Sequence, residues 1–281
     1  MSEKYSQNIN WFPGHMKKAE REITETMKSV DLIIELRDAR AIDSSINPLL
    51  KDIARDKPKV IILSKVDLAD QTCVSNYINE NKSSTQEILA LNLVKDNYKN
   101  QVITATLKVM TEKHQRLKRR GIKPRASRAL VLGIPNVGKS TFINTMRQRK
   151  VMRTANTPGV TRYLKLVKVS DQLELIDTPG MLWPKFYDQA QAYHLALVGS
   201  INDHVLPLTE IITYALNFLN QNYPHLIQKE FTGSFDYATL INEIGKKSGY
   251  LLEGGVIDEK RTQIHLLKLI RTLPICWDIY A

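Results

Sequence analysis

The chain has 281 residues, 43% hydrophobic and 25% charged: enough for one large domain or two ordinary ones, and too apolar for a disordered chain. Two cysteines far apart in sequence, Cys73 and Cys276, make neither a disulfide framework nor a metal pattern; no apolar run reaches membrane-spanning length, and MSEKYSQNINWF is neither signal nor transit peptide, so the cytoplasm is expected. The net charge of +11 is concentrated, because residues 113–170 hold sixteen Lys and Arg with no Asp or Glu and the remainder is net acidic; such a block is either a solvated basic face or, as favoured here, a polyanion-binding one.

Met16, Ala19, Ile23, Met27 and Val30 recur at helical spacing and predict an amphipathic helix over 14–28, entered at Pro13 or Gly14. Short apolar runs follow. DLIIEL (31–36), KVIIL (59–63), EILALN (87–92) and ALVLGI (129–134) are continuous, as strands buried on both faces require. Helical stretches at 70–81, 100–118 and 139–148 separate them, and 115–127 reads as an interior linker. YLKLVKV (163–169) and LELID (173–177) are joined by Ser170-Asp171-Gln172, the length of a hairpin connection. The predicted class is α/β, a mostly parallel sheet with one antiparallel edge. Past residue 186 the strand signal fades. Helices are expected at 188–198, 207–222, 237–248 and 258–272, with Pro207 at one start and Gly249 after one end. The expected division is 1–186 and 187–281, the second a small all-α domain.

Gly133-Ile134-Pro135-Asn136-Val137-Gly138-Lys139-Ser140 fits G-x-x-x-x-G-K-[ST], between a predicted strand and a predicted helix. In that setting backbone N–H groups converge on phosphates, including those of Val137, Gly138 and Thr141. Lys139 reaches the β- and γ-phosphates, and the Ser140 hydroxyl ligates Mg²⁺. Asp177-Thr178-Pro179-Gly180 ends the strand LELID. Asp177 can hold Mg²⁺ through water, and the Gly180 N–H can meet a γ-phosphate. Between them, Asn156-Thr157-Pro158-Gly159-Val160-Thr161-Arg162 offers a second hydroxyl for Mg²⁺, from Thr161 in preference to Thr157.

Ser64-Lys65-Val66-Asp67 follows KVIIL and is similar to N-K-x-D with serine for asparagine. Asp67 would accept from guanine N1 and N2, the Lys65 stem would pack over the ring, and Ser64 would lose or shorten one base contact. The nucleotide is therefore expected to be GTP or GDP. This base-reading motif precedes the phosphate loop, the reverse of the usual order. Loops at the carboxyl ends of parallel strands converge whatever the connection, so geometry tolerates it. Met181 stands where many GTPases carry the glutamine that orients water.

These residues, with WFPGHM (11–16), RDAR (37–40), NP (47–48), GIKPRASRALVLGIPNVGKST (121–141), DTPGMLWPK (177–185), LVGSI (197–201) and GG (254–255), resemble the circularly permuted GTPases of the bacterial YlqF/RbgA family, which assist large ribosomal subunit assembly. The resemblance implies a circularly permuted Ras-like domain with a helical C-terminal domain. It implies slow GTP hydrolysis stimulated by the ribosomal particle, with His15 as a catalytic group beside Lys139 in place of the missing glutamine. Asn136 would help to coordinate K⁺, and Asn92, in Leu91-Asn92-Leu93, would belong to the third base-contacting segment. The implied partners are the large subunit and its rRNA, with no membrane or DNA partner and a monomeric chain. Residues 203–281 carry seven basic and nine acidic residues, so the RNA footprint is expected on 113–128 and the N-terminal helix. Two other functions are open: a GTP-regulated RNA-binding protein without meaningful catalysis, which Met181 favours, and a GTPase acting on another RNA.

Overall fold

The computed structural model describes residues 21–48, 57–83, 85–147, 164–180, 182, 188–231 and 236–279. His15 with the rest of WFPGHM, Thr157, Thr161 and Met181 lie outside the described residues. The chain divides into two compact units. A sheet unit ends near Lys185 and takes back the residues from Cys276 onward; a helical unit runs from Phe186 to Ile275.

The sheet unit opens with helix α1, described over 21–26, and continues through β1 (Leu32–Asp38), β2 (Lys59–Ser64), α2 (Gln71–Glu80), β3 (Gln86–Leu91), α3 (Lys99–Val109), α4 (Thr111–Arg119), β4 (Ser127–Gly133), α5 (Lys139–Arg147), β5 (Lys165–Lys168) and β6 (Leu173–Asp177). The strand order is β3-β2-β1-β4-β6-β5. Every pair is parallel except β5–β6, the expected antiparallel edge. β1, β2 and β4 are buried continuous apolar runs, covered by helices on both faces; β3, expected to be like them, is instead the edge of the sheet and only Leu91 in it is buried. On one face Ile23, Met27 and Val30 pack on Ile33, Leu130, Leu132 and Ile176. Val74 and Tyr77 of α2 pack beside them on Ile61 and Leu63. α3 packs on β2 and β3, and α5 on β4, β5 and β6. Tyr98 stacks on Phe142 of α5, ring centroids 5.9 Å apart.

One helix was expected over 100–118; the structure has two, parted at Met110. The buried face of α3 ends there, and α4 has no buried residue at all. The expected linker 115–127 is correspondingly shorter, because Leu, Lys and Arg favour helix as far as Arg119. Gly121, at φ +70°, closes α4: its N–H bonds Lys118 O and the Ile122 N–H bonds Leu117 O.

The helical unit contains α6 (Gln189–Leu197), α7 (Leu208–Asn222), α8 (Pro224–Glu230), α9 (Tyr237–Lys247) and α10 (Glu259–Ile270). α8 was not expected; it is one short segment after Tyr223, with Pro224 at its first turn. Ile211, Ile212, Ala215, Leu216 and Leu219 of α7 form the apolar spine, joined by Leu240, Leu266, Leu267 and Ile270. Arg271 donates to the carbonyls of Ala196 and Leu197 and pairs with both oxygens of Asp203, closing the end of α6. No described helix is long and apolar enough to cross a membrane.

A candidate nucleotide site at the carboxyl ends of the strands

The loops after β1, β2, β3, β4 and β6 all leave the same end of the sheet, because these five strands are mutually parallel. Motifs scattered over more than half the sequence thus meet along one edge. The centre is the turn from β4 into α5. Gly133 has φ +154°, and a Cβ on it would stand 2.6 Å from Leu36 O, so only glycine lets the loop leave β4 against β1. Asn136, half-buried, takes a left-handed conformation at φ +58°. Val137 is buried, while Gly138, Ser140 and Thr141 are half-buried. Lys139 is 7% exposed, and its Nζ donates to the carbonyls of Gly133 and Ile134, both at 2.9 Å. Burial pushes its ammonium down to about 8, against the pull of Asp177.

Asp177 ends β6 beside this loop and is fully buried. Among the described residues, neither of its carboxylate oxygens has a hydrogen-bond partner. Burial raises its pKa to about 6; Lys139 opposes that rise, and the Thr178 N–H adds a smaller pull without reaching hydrogen-bond geometry. A buried, orphaned carboxylate is costly unless a cation meets it. Ser140 follows Lys139 directly on the neighbouring phosphate loop, and the hard oxygen donors of Ser140 and Asp177 fit Mg²⁺. The Thr178 hydroxyl, by contrast, is tied to Val131 O at 2.7 Å and fixes the turn. Gly180 brings the turn onto the phosphate loop: a Cβ there would stand 2.8 Å from Pro135 Cα and 3.0 Å from Lys139 Nζ.

The segment expected to read the base sits on the neighbouring strands. Ser64, fully buried at the end of β2, lies 2.8 Å from Val137 O and 3.1 Å from Arg37 O. A hydroxyl with one proton donates to the nearer carbonyl. Ser64 therefore ties β2 to the phosphate loop, whereas the sequence placed it toward the base. Lys65 is left-handed at φ +57°, and Asp67 stands exposed in the single turn Val66–Leu68. The Asn92 side chain accepts the N–H groups of Val94 and Lys95, and so shapes its own loop after β3. That loop reaches the phosphate loop through Leu93, whose Cδ1 would be 2.8 Å from a Cβ on Gly138.

One buried cluster had no role in the sequence reading beyond the quoted RDAR. Asp38, at the end of β1, accepts Arg40 Nε (2.9 Å) and Nη2 (2.8 Å) and Lys65 Nζ (2.8 Å). Desolvation works against the Asp38 charge, but Arg40 and Lys65 together hold its pKa far below the usual carboxylate range. The Lys65 charge is thus anchored on Asp38. The available signal was an acid at the end of an apolar strand flanked by two arginines.

A family model described as 50S ribosome-binding GTPase matches residues 128–229. The chain is 42% identical over 267 residues to ribosome biogenesis GTPase A of Bacillus pumilus, covering 94% of this chain and 95% of that protein. It is 33% identical to mitochondrial ribosome-associated GTPase 1 of Mus musculus, over 75% of this chain and 67% of that one. The solved structure of GNP-bound YlqF from T. maritima superposes with a TM-score of 0.66 at 22% identity, covering 94% of this chain and all of the other. That likeness shows the fold.

Proposed function

Because this chain belongs to the ribosome biogenesis GTPase A family, we propose that it is a cytoplasmic GTPase that binds the maturing large ribosomal subunit with GTP and leaves after hydrolysis. The observation that carries the site assignment is the orphaned carboxylate of Asp177 beside Lys139, two opposite charges placed for a cation and a polyphosphate. Lys139 and the loop N–H groups hold the phosphates, and Asp67 with Lys65 selects guanine. Ser140 and Asp177, with Thr161, hold Mg²⁺. When bound, Mg²⁺ neutralises charge developing on the transferred phosphoryl group. Asn136 helps to coordinate K⁺ against the triphosphate. His15 orients the attacking water, since a thioether at Met181 cannot.

The ribosomal contact falls on the basic segment around α4. Arg116, Lys118, Arg119, Arg120 and Lys123 are exposed; Lys113 and Arg125, also exposed, are shared with Asp31. This face lies at the amino end of β4 and the phosphate loop at its carboxyl end, roughly 20 Å apart at about 3.3 Å per residue. An RNA backbone on the basic face leaves the nucleotide accessible.

The test is GTP hydrolysis in KCl buffer with and without purified large subunits, for wild type and His15→Ala. The particle should stimulate wild type strongly. His15→Ala should lose about 10²- to 10⁴-fold of that turnover with GTP binding intact. Equal rates in the two proteins would remove His15 from the chemistry. Tight GTP binding with no stimulation would favour a GTP-regulated RNA-binding protein.

A further inference from the structure

The chain has two cysteines, Cys73 and Cys276, far apart in sequence, and the fold brings both to one backbone carbonyl. Cys73 lies in the first turn of α2 and is half-buried; Cys276 is fully buried in the C-terminal segment that returns to the sheet unit. Cys73 Sγ is 3.6 Å and Cys276 Sγ 3.2 Å from Asp278 O. The two sulfurs also meet each other: the Cys73 contact is the largest cause raising the Cys276 thiol pKa, ahead of burial.

Their neighbours give the place a function. The segment 276–279 is a strap over the turn after β1. The Trp277 N–H donates to Arg40 O at 2.6 Å, and Trp277 is 2% exposed. One oxygen of the Asp278 carboxylate accepts the N–H groups of Asp43 (2.8 Å) and Ser44 (2.9 Å), and the other accepts the Ser44 hydroxyl. Arg40 in turn holds Asp38, and Asp38 holds Lys65. The strap therefore braces the support of the base-reading lysine.

We propose that Cys73 and Cys276 are a peroxide-sensitive dithiol, and that their disulfide fastens this strap to the sheet unit. The co-reactant is a small hydroperoxide, which can reach the half-buried Cys73. The Cys73 sulfur attacks the O–O bond; one oxygen stays on sulfur as a sulfenic acid and the other leaves as water or alcohol. The Cys276 sulfur then attacks the Cys73 sulfur, the S–S bond forms, the S–O bond breaks, and hydroxide departs with a proton as water. Two thiols lose two electrons and two protons, and the peroxide is reduced. A small thiol reverses the step by exchange. The proposal stands on the placement of the thiols and not on the GTPase assignment.

The experiment oxidises the full chain with hydrogen peroxide, alkylates the remaining thiols and maps non-reduced peptides by mass spectrometry. The expected product joins the Cys73 and Cys276 peptides, lighter by two hydrogens. It disappears with reductant and is absent from Cys73→Ser and Cys276→Ser. Oxidised wild type should melt several degrees above reduced wild type, because the linkage closes a very long loop. A Cys73 sulfinic acid or an intermolecular dimer with Cys276 still alkylatable would overturn the dithiol. A cross-link with unchanged melting would overturn the fastening. Both readouts use wild type, so they survive a cysteine variant that fails to fold.

Discussion

Asp177→Asn removes Mg²⁺-dependent GTP turnover, by about 10²-fold or more, without lowering the stability of the nucleotide-free protein. Asp177 is fully buried, with no hydrogen-bond partner among the described residues for either oxygen. Burial lifts its pKa to about 6, from an ordinary carboxylate value of 3.8. The folded state therefore binds a proton more readily than the unfolded chain. Stability is unpenalised below pH 3.8, falls as pH rises toward 6, and stays lower above it. At neutral pH that cost is roughly 2–3 kcal/mol. Asparagine removes the charge but leaves a buried amide, itself costing about 1–3 kcal/mol. The two nearly offset. Thermal melts in EDTA should place the variant level with wild type or slightly above it. Melts in MgCl₂ with GTP should raise wild type alone. For the same reason the wild-type Mg²⁺ requirement should climb as pH falls through about 6. A variant that melts well below wild type in EDTA, or keeps its turnover, would remove Asp177 from the metal site.

Asp38→Asn should destabilise the sheet unit by about 3–5 kcal/mol, because it leaves buried cations without their carboxylate. Arg40 is 4% exposed, and the same Asp38 oxygen that meets its Nη2 also meets Lys65 Nζ. The pH dependence runs opposite to that of Asp177. The folded pKa of Asp38 is depressed, so its contribution is present above the unfolded value near 4 and is lost as pH falls below it. Urea denaturation at pH 7 and at about pH 2.5, below the unfolded value, separates the cases. Wild type should lose more stability between the two than the variant does, and guanine nucleotide affinity should fall as Lys65 loses its anchor. Equal acid sensitivity in both proteins would show that the cluster contributes little.

The strands and phosphate loop were legible because their signals are local. ALVLG followed by G-x-x-x-x-G-K-S encodes strand, turn and helix within a few residues. The ties between loops were not, since they depend on which strands become neighbours. Ser64 had the composition of a base reader, but its hydroxyl is bonded to Val137 O, on a loop far along the chain. Leu93 stood in the expected third base-contacting segment and instead packs toward Gly138. The division of 100–118 into α3 and α4 escaped periodicity because the polar sequence TEKHQRLKR is helix-favouring throughout. The returning strap could not be read either: Asp278 carries no motif, and only the fold places it over Asp43 and Ser44.

The strand order also sets a sequence of events during synthesis. β1, β2 and β3 are neighbours in the chain and in the sheet. They leave the ribosome before the phosphate-loop strand exists, so the segment proposed to read the base and the phosphate loop are made separately. Domains fold as their residues emerge, amino end first. Until β4 arrives, β1 presents an unpaired backbone edge, the kind of template on which a wrong strand can add. β4 then takes the β1 edge, β6 adds to β4, and β5 adds to β6. The nucleotide pocket is thus a late product of growth outward from β1, and the nascent chain cannot bind guanine nucleotide until its second half has joined the first.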